Sequence, residues 1–191
     1  MLKNLIATIS KTVVLAATDL QLCEQYFEPI TVAKNSVLDE QDKVPQYLYF
    51  VEDGFLRLFY YDDNGDEVTS NISTKHSFFA PFLNLIHQTK SNENVECITE
   101  CTLIKISRDN LLTLINSSEN FKQFSLVIFE QAIANTQIRA NDLATLSAEQ
   151  RYKKLLETQP QILQNVPVQY IASYLGIKPQ SLSRIRRQMI M

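Results

Sequence analysis

The sequence predicts an α+β chain: an N-terminal β jelly roll, a long central helix and a C-terminal helix-turn-helix. Three observations carry that prediction. Short apolar runs broken by turn residues occupy residues 30–106, an uninterrupted helical pattern runs from about Ser118 to Asp142, and two short helical repeats flank Gly176. The 191 residues, 45% of them hydrophobic, suffice for one substantial core and one small satellite domain. The expected division is residues 1–117, 118–144 and 145–191.

Within residues 1–28, Leu2, Leu5, Ile6 and Ile9, then Leu20, Leu22, Tyr26 and Phe27, suit one or two packing helices ahead of Pro29. Tyr47–Val51 and Phe55–Tyr61 read as strands separated by Gly54, and Asp63-Asn64-Gly65-Asp66 is a hairpin turn before Glu67–Ile72. Strands this short and this closely spaced suit a jelly roll or barrel, with an unrelated β sandwich as the other reading. Val95–Ile106 alternates like a strand, which would turn Cys97 and Cys101 to one face. With Cys23 they make an odd set without paired metal-ligand spacing, so reduced core or surface thiols are expected and no metal site.

In the long helix Phe121, Phe124, Ile128, Gln131, Asn135 and Ile138 fall near one stripe, while Leu126, Val127, Phe129, Ile133 and Ala134 occupy much of the rest. One side would pack on the β body. The other would meet a second copy of the chain, and Phe124, Ile128, Gln131, Asn135 and Ile138 are the expected homodimer contacts, Asn135 fixing the register. A buried helix of a monomer is the alternative.

Ser147 and Gln150 have capping-box spacing, so a new helix should start at Ala148; Pro160 ends it and Pro167 opens the last motif. There Ile171, Ala172 and Leu175 share one helical face, Gly176 can take the left-handed turn, and Leu182 and Ile185 continue at helical spacing. The outer face of the second helix then carries polar and basic side chains, which suits base edges and phosphates in a DNA major groove. A helical hairpin with a solvated basic face would show the same spacing. Charge favours the first reading. Residues 151–191 hold seven Lys or Arg against Glu157 alone, +6, leaving 11 basic and 20 acidic residues, −9, for residues 1–150. An acidic body bearing a basic head is built to meet a polyanion locally. No apolar run approaches the roughly 20 residues of a membrane span and no signal-peptide layout opens the chain, so no membrane partner and a cytoplasmic location are expected.

The order of these parts resembles the Crp/Fnr family of bacterial transcription regulators over nearly the whole chain. Tyr49-Phe50-Val51-Glu52-Asp53-Gly54-Phe55-Leu56-Arg57 followed by Gly65-Asp66-Glu67-Val68 carries the likeness in the β body. At the C-terminus Ser147–Tyr152, Tyr170–Ile177 and Ser181–Arg186 look like the branch common in Bacteroidetes. The resemblance implies a cyclic-nucleotide-binding-domain-like jelly roll, a dimerisation helix and recognition helices reading two half-sites of double-stranded DNA, with RNA polymerase as a further partner. It makes Arg184 the guanine or phosphate reader, Gln180 and Ser181 its base-edge neighbours, and Lys178, Ser183, Arg186 and Arg187 the rest of the DNA-binding surface.

Cyclic-nucleotide binders of the family use a Gly-Glu pair for the ribose and an Arg for the phosphate. Here His76-Ser77 and Ser91 or Asn92 stand near those places, and no arginine lies between Arg57 and Arg108. A buried cyclic phosphate needs such a charged fork, so cyclic AMP is not the expected effector. The apolar run Phe78, Phe79, Ala80, Pro81, Phe82, Leu83, Leu85 and Ile86 either lines a pocket for another small molecule or fills it; His76, Ser77, Phe78, Phe79, Phe82, Ser91 and Asn92 are the expected effector-pocket residues. His76 and His87 without supporting ligands do not call for haem, and Cys23 alone does not call for an iron–sulfur cluster, so no cofactor is expected. Two loop glycines of the family are replaced by Asn35 and Gln41. The sequence stops at Met191, straight after the recognition helix, so a full wing is not expected. A ligand-binding or protein-interaction module whose helix-turn-helix no longer reads DNA is the competing function. Nothing marks a nucleophile–base pair or phosphate cradle, and an enzyme is not expected.

Overall fold

A computed structural model describes residues 2–190. Met191, on which the expected missing wing was judged, lies outside the described residues. Two antiparallel four-stranded sheets form the body. The first has the order β1 (Glu28–Val32), β8 (Cys101–Ser107), β3 (Tyr47–Asp53), β6 (Phe78–Phe79); the second has β2 (Val37–Asp39), β7 (Asn94–Cys97), β4 (Leu56–Tyr61), β5 (Glu67–Ile72). This is the jelly-roll-like layout that the strand spacing implies.

Between the sheets Tyr49, Val51, Leu56, Leu58, Phe79, Val95 and Leu103 form one apolar cluster. A second cluster lies where Phe50, Ile104 and Ile106 meet α1 (Lys3–Ile9), α2 (Ala17–Tyr26), α4 (Arg108–Ser117) and the first turns of α5 (Glu119–Thr145). Both N-terminal helices therefore exist to close the end of the roll. Asp19 ties them down: its carboxylate accepts from the Ser118 hydroxyl at 2.6 Å and the Asn120 amide at 2.7 Å, beside the start of α5.

Three local features differ from these expectations or add to them. Val95–Ile106 is two strands, because the chain turns at Ile98–Glu100 and passes from one sheet to the other; Cys97 and Cys101 still end up buried in one cluster, as free thiols. Arg108–Ser117 is a helix that the apolar pattern did not announce, started by the Ser107 hydroxyl accepting from the Asn110 amide. Of the two replaced glycines, Asn35 takes the left-handed backbone (φ +64°), but the second left-handed residue is Asp42 (φ +65°) and not Gln41. Gly54 (φ +95°) is needed twice over, since a Cβ there would lie 2.6 Å from the Glu100 carbonyl and 2.7 Å from the Cys101 sulfur.

Burial pushes the Asp39 carboxyl up to about 6, against the lowering effect of its hydrogen bond with Tyr49. An acid with a raised folded-state pKa favours the fold while protonated, and that contribution is lost as pH rises from near 4 through about 6. Asp39→Asn is thus expected to raise the melting temperature at pH 8 relative to the parent and to leave it little changed at pH 4. Thermal unfolding at the two pH values measures this.

Candidate nucleic-acid interface and effector cavity

Ser147 caps α6 (Ala148–Thr158) through a reciprocal pair with Gln150, and Pro160 opens α7 (Pro160–Asn165). Helix α8 (Val168–Tyr174) ends in a turn that satisfies its last carbonyls: the Gly176 N–H donates to Ser173 and the Ile177 N–H to Ala172. Gly176 sits at φ +68°, the left-handed value this closure requires. Ile171, Ala172 and Leu175 of α8 and Leu182 and Ile185 of α9 (Pro179–Ile190) are buried together with Tyr152, Leu155, Ile162 and Val166. These C-terminal helices form a small head with its own apolar centre.

Burying that side of α9 leaves Lys178, Gln180, Ser183, Arg184 and Arg187 exposed, while Ser181 is half-buried. Arg186 departs from the expectation. It is half-buried and turned inward, its guanidinium 5.9 Å from the centre of the Tyr152 ring, so it belongs to the packing of the head and not to its outer face. The Ser183 hydroxyl donates to the Pro179 carbonyl at 3.0 Å, leaving only its lone pairs free. Gln180 and Arg184 are the outward groups whose side chains bond nothing else among the described residues.

The head is seated on the roll through Arg57, a residue not singled out from sequence except as part of a motif. Its side chain is 1% exposed. The guanidinium donates to Glu96 at 2.6 Å and to Glu67 at 2.5 Å, and it lies between two rings, 4.0 Å from the centre of Phe59 and 3.7 Å from that of Tyr170 in α8. Beside it the Thr69 amide of β5 donates to the Ser173 hydroxyl at 2.8 Å, and Phe55, Ile72 and Ile98 of the roll join the apolar centre of the head. Arg139 of α5 completes the joint by donating to the carbonyls of Tyr174 and, at 3.1 Å, Thr69.

A cavity of about 450 Å³ opens between β5–β6, the second half of α5 and α6. Of the expected effector residues, Ser77, Phe78 and Phe79 line it. The others are elsewhere. His76 is exposed at φ +60° and stacks on Phe50, Phe82 packs edge-on against Phe129, Ser91 is buried in hydrogen bonds with Lys43 and Glu93, and Asn92 faces solvent. The phenylalanine run therefore mostly fills: Phe78 contacts Phe50 and Phe124, and Leu85 of the short helix α3 (Phe82–His87) is buried in the same cluster. Where a phosphate-binding arginine would be expected to reach, the wall carries Glu93, hydrogen-bonded to the Ser70 hydroxyl.

The expected dimer stripe is corrected as well. Phe124 is 7% exposed in the core of the roll, so it cannot meet a partner, while Ile128 is half-buried against the same cluster. Gln131, Asn135 and Ile138 are exposed, but Asn135 and Ile138 line the cavity. Besides Ile138 (51% exposed) and Leu143, α5 exposes apolar groups on another face, at Leu126 (56%) and Ile133 (61%), with exposed Ala140 one heptad further on. No described helix is long and apolar enough to cross a membrane.

Residues 29–118 match the family model of the cyclic nucleotide-binding domain. The fold is that of known regulators. FixK2 from Bradyrhizobium japonicum superposes with a TM-score of 0.75 at 16% identity, over 85% of this chain and 84% of that one. The c-di-GMP responsive global regulator CLP of Xanthomonas campestris gives 0.69 at 17% identity, over 91% of both chains. A protein from Eubacterium rectale assigned to the Crp/Fnr transcriptional regulators gives 0.69 at 16% identity, over 91% of this chain and 83% of its own. No curated protein matches by sequence.

Tyr170→Ala removes one face of the Arg57 sandwich and is expected to free the head while the roll stays folded. Limited proteolysis near Leu146–Ser147 should accelerate severalfold, the lost contact costing about 1–3 kcal/mol. An unchanged cleavage rate would mean that the head is held by other contacts.

Proposed function

We propose that this chain is a sequence-specific DNA-binding transcription regulator of the Crp/Fnr type, acting as a homodimer and not responding to cyclic AMP. Residues 145–191 are its helix-turn-helix DNA-binding domain, residues 118–144 its dimerisation helix and residues 1–117 its effector domain. The observation that carries this reading is the outer face of α9: Gln180, Arg184 and Arg187 stand exposed on the one strongly basic part of an otherwise acidic chain. Arg184 can fork onto guanine or clamp a phosphate, and Gln180 can pair with an adenine edge. The exposed N-terminal end of α9 would enter the major groove while α8 crosses the backbone. Its partners are double-stranded DNA and, for transcription, RNA polymerase, which places its work in the cytoplasm.

Two arguments set cyclic AMP aside. The part of the cavity wall formed by the sheet presents the Glu93 carboxylate and no arginine, and Ser91 is consumed by its own loop, so a cyclic phosphate finds no guanidinium to receive it there. In addition, the ion pairs and ring contacts of Arg57 seat the head through the chain's own side chains.

Arg184→Ala is expected to weaken binding to promoter DNA by about 1–3 kcal/mol and to relax preference at one base position in each half-site. Gel-shift titration against a set of single-base operator variants reads both effects. Unchanged affinity and preference would contradict the assignment, and a parent protein without salt-sensitive DNA binding would favour the module that no longer reads DNA. Ile133→Asp places a charge at the middle of the Leu126, Ile133, Ala140 stripe. It is expected to convert a dimer to a monomer in sedimentation with little change in melting of the roll; a dimer that persists would move the interface elsewhere.

A further inference from the structure

The cavity between sheet, long helix and head is bordered by three basic side chains, and two of them have no counter-ion. Lys154 is paired with Asp142 at 2.5 Å. Arg139 and Arg151, both half-buried, meet only neutral carbonyls: Arg139 those of Tyr174 and Thr69, Arg151 those of Leu175 at 2.9 Å, Leu146 at 2.5 Å and Leu143 at 3.5 Å. Neither forms an ion pair among the described residues. The Arg139 Nε and the Arg151 Nη2 groups also lack a hydrogen-bond partner there. The two guanidinium groups feel each other, since burial first, and the Arg151 charge in addition, push Arg139 below its ordinary value. Two like charges held together in a partly buried wall, each with unused N–H groups, are an arrangement that an anion would relieve.

We propose that this cavity binds a small organic anion, its phosphate or carboxylate group held between Arg139 and Arg151. The rest of the lining describes the remainder of the ligand. Ser70, Ser73, Thr74, Ser77 and Thr136 offer hydroxyl groups, and Glu93 accepts hydrogen bonds. The ligand therefore carries hydrogen-bond donors, hydroxyl or amino, besides its charge. About 450 Å³ admits a molecule of metabolite size. The anionic end sits on the helix and head side of the cavity, away from Ser91 and Asn92, which do not line it.

The same two arginines hold the carbonyls of Leu146, Tyr174 and Leu175, at the points where the long helix meets the head. An anion that draws the guanidinium groups toward itself changes those bonds and with them the seat of α8. This regulatory consequence rests on the reading of the chain as a DNA-binding regulator; the binding site itself does not.

The test uses no DNA, so its failure is distinct from a failure of that reading. Glycerol 3-phosphate and inorganic phosphate are titrated into the full chain, with ³¹P line broadening and thermal shift as readouts and glycerol as the neutral control. The expected result is saturable binding of both phosphates, tighter for glycerol 3-phosphate, and no effect of glycerol. Arg151→Gln should weaken binding at least tenfold. Arg151→Lys, which keeps the charge and protects against misfolding as the cause, should fall between. Lys11→Gln, at an exposed position outside the cavity lining, should bind as the parent does. Absence of saturable binding in the parent, or equal binding by Arg151→Gln and the parent, would overturn the proposal.

Discussion

The structure depends on one buried charge. Arg57 has lost nearly all contact with water, and a guanidinium in that position needs partners for its charge and for both of its faces, here with Nη1 left unpaired among the described residues. Glu96 and Glu67 supply the charge, Phe59 supplies one ring from the same sheet, and Tyr170 supplies the other from the C-terminal head. The last partner is the consequential one. An interaction that the roll needs for its own electrostatics is completed by a residue of the head, so the two bodies are joined at a fixed angle and not by a loose linker. Thr69 with Ser173, and Arg139 with Tyr174, add directional bonds around the same point.

That joint orders the rest. The first turns of α5 are consumed by the roll, where Phe121 and Phe124 are buried, and only its later turns are free to border the cavity on one side and offer Leu126 and Ile133 on another. Helix α8 faces the roll with Tyr170, Ser173 and Tyr174, and α9 is thereby turned outward with Gln180 and Arg184 exposed. The orientation of α9 is thus set by contacts of α8 with the roll.

Much of this was legible in the sequence where local chemistry decides. The capping box at Ser147, the left-handed Gly176 and the hairpin turn at Gly65 before Glu67–Ile72 each specify a local geometry, and the helices and strands formed there. What escaped was tertiary. An apolar stripe on a helix does not say which of its faces the roll takes, and Phe124 and Leu126 exchange roles once Phe78 and the N-terminal helices are in place. The effector residues were located by sequence neighbourhood, but the chain turns between His76 and Ser77 and again at Ser91, so only Ser77, Phe78 and Phe79 reach the cavity while Arg139 and Arg151 arrive from far along the chain. Arg186 looked like its neighbours by charge and differs only because helical phase carries it toward Tyr152.

The central claim is the proposal that the outer face of α9 reads DNA without the help of cyclic AMP. It is tested most directly by titrating the purified, ligand-free protein with its own promoter DNA and with random DNA across a salt series, with and without cyclic AMP. The account predicts promoter binding well above the random-DNA level at every salt concentration, weakening of both as salt rises through counterion release, and no response to cyclic AMP. Promoter binding equal to random binding until cyclic AMP is added would contradict it.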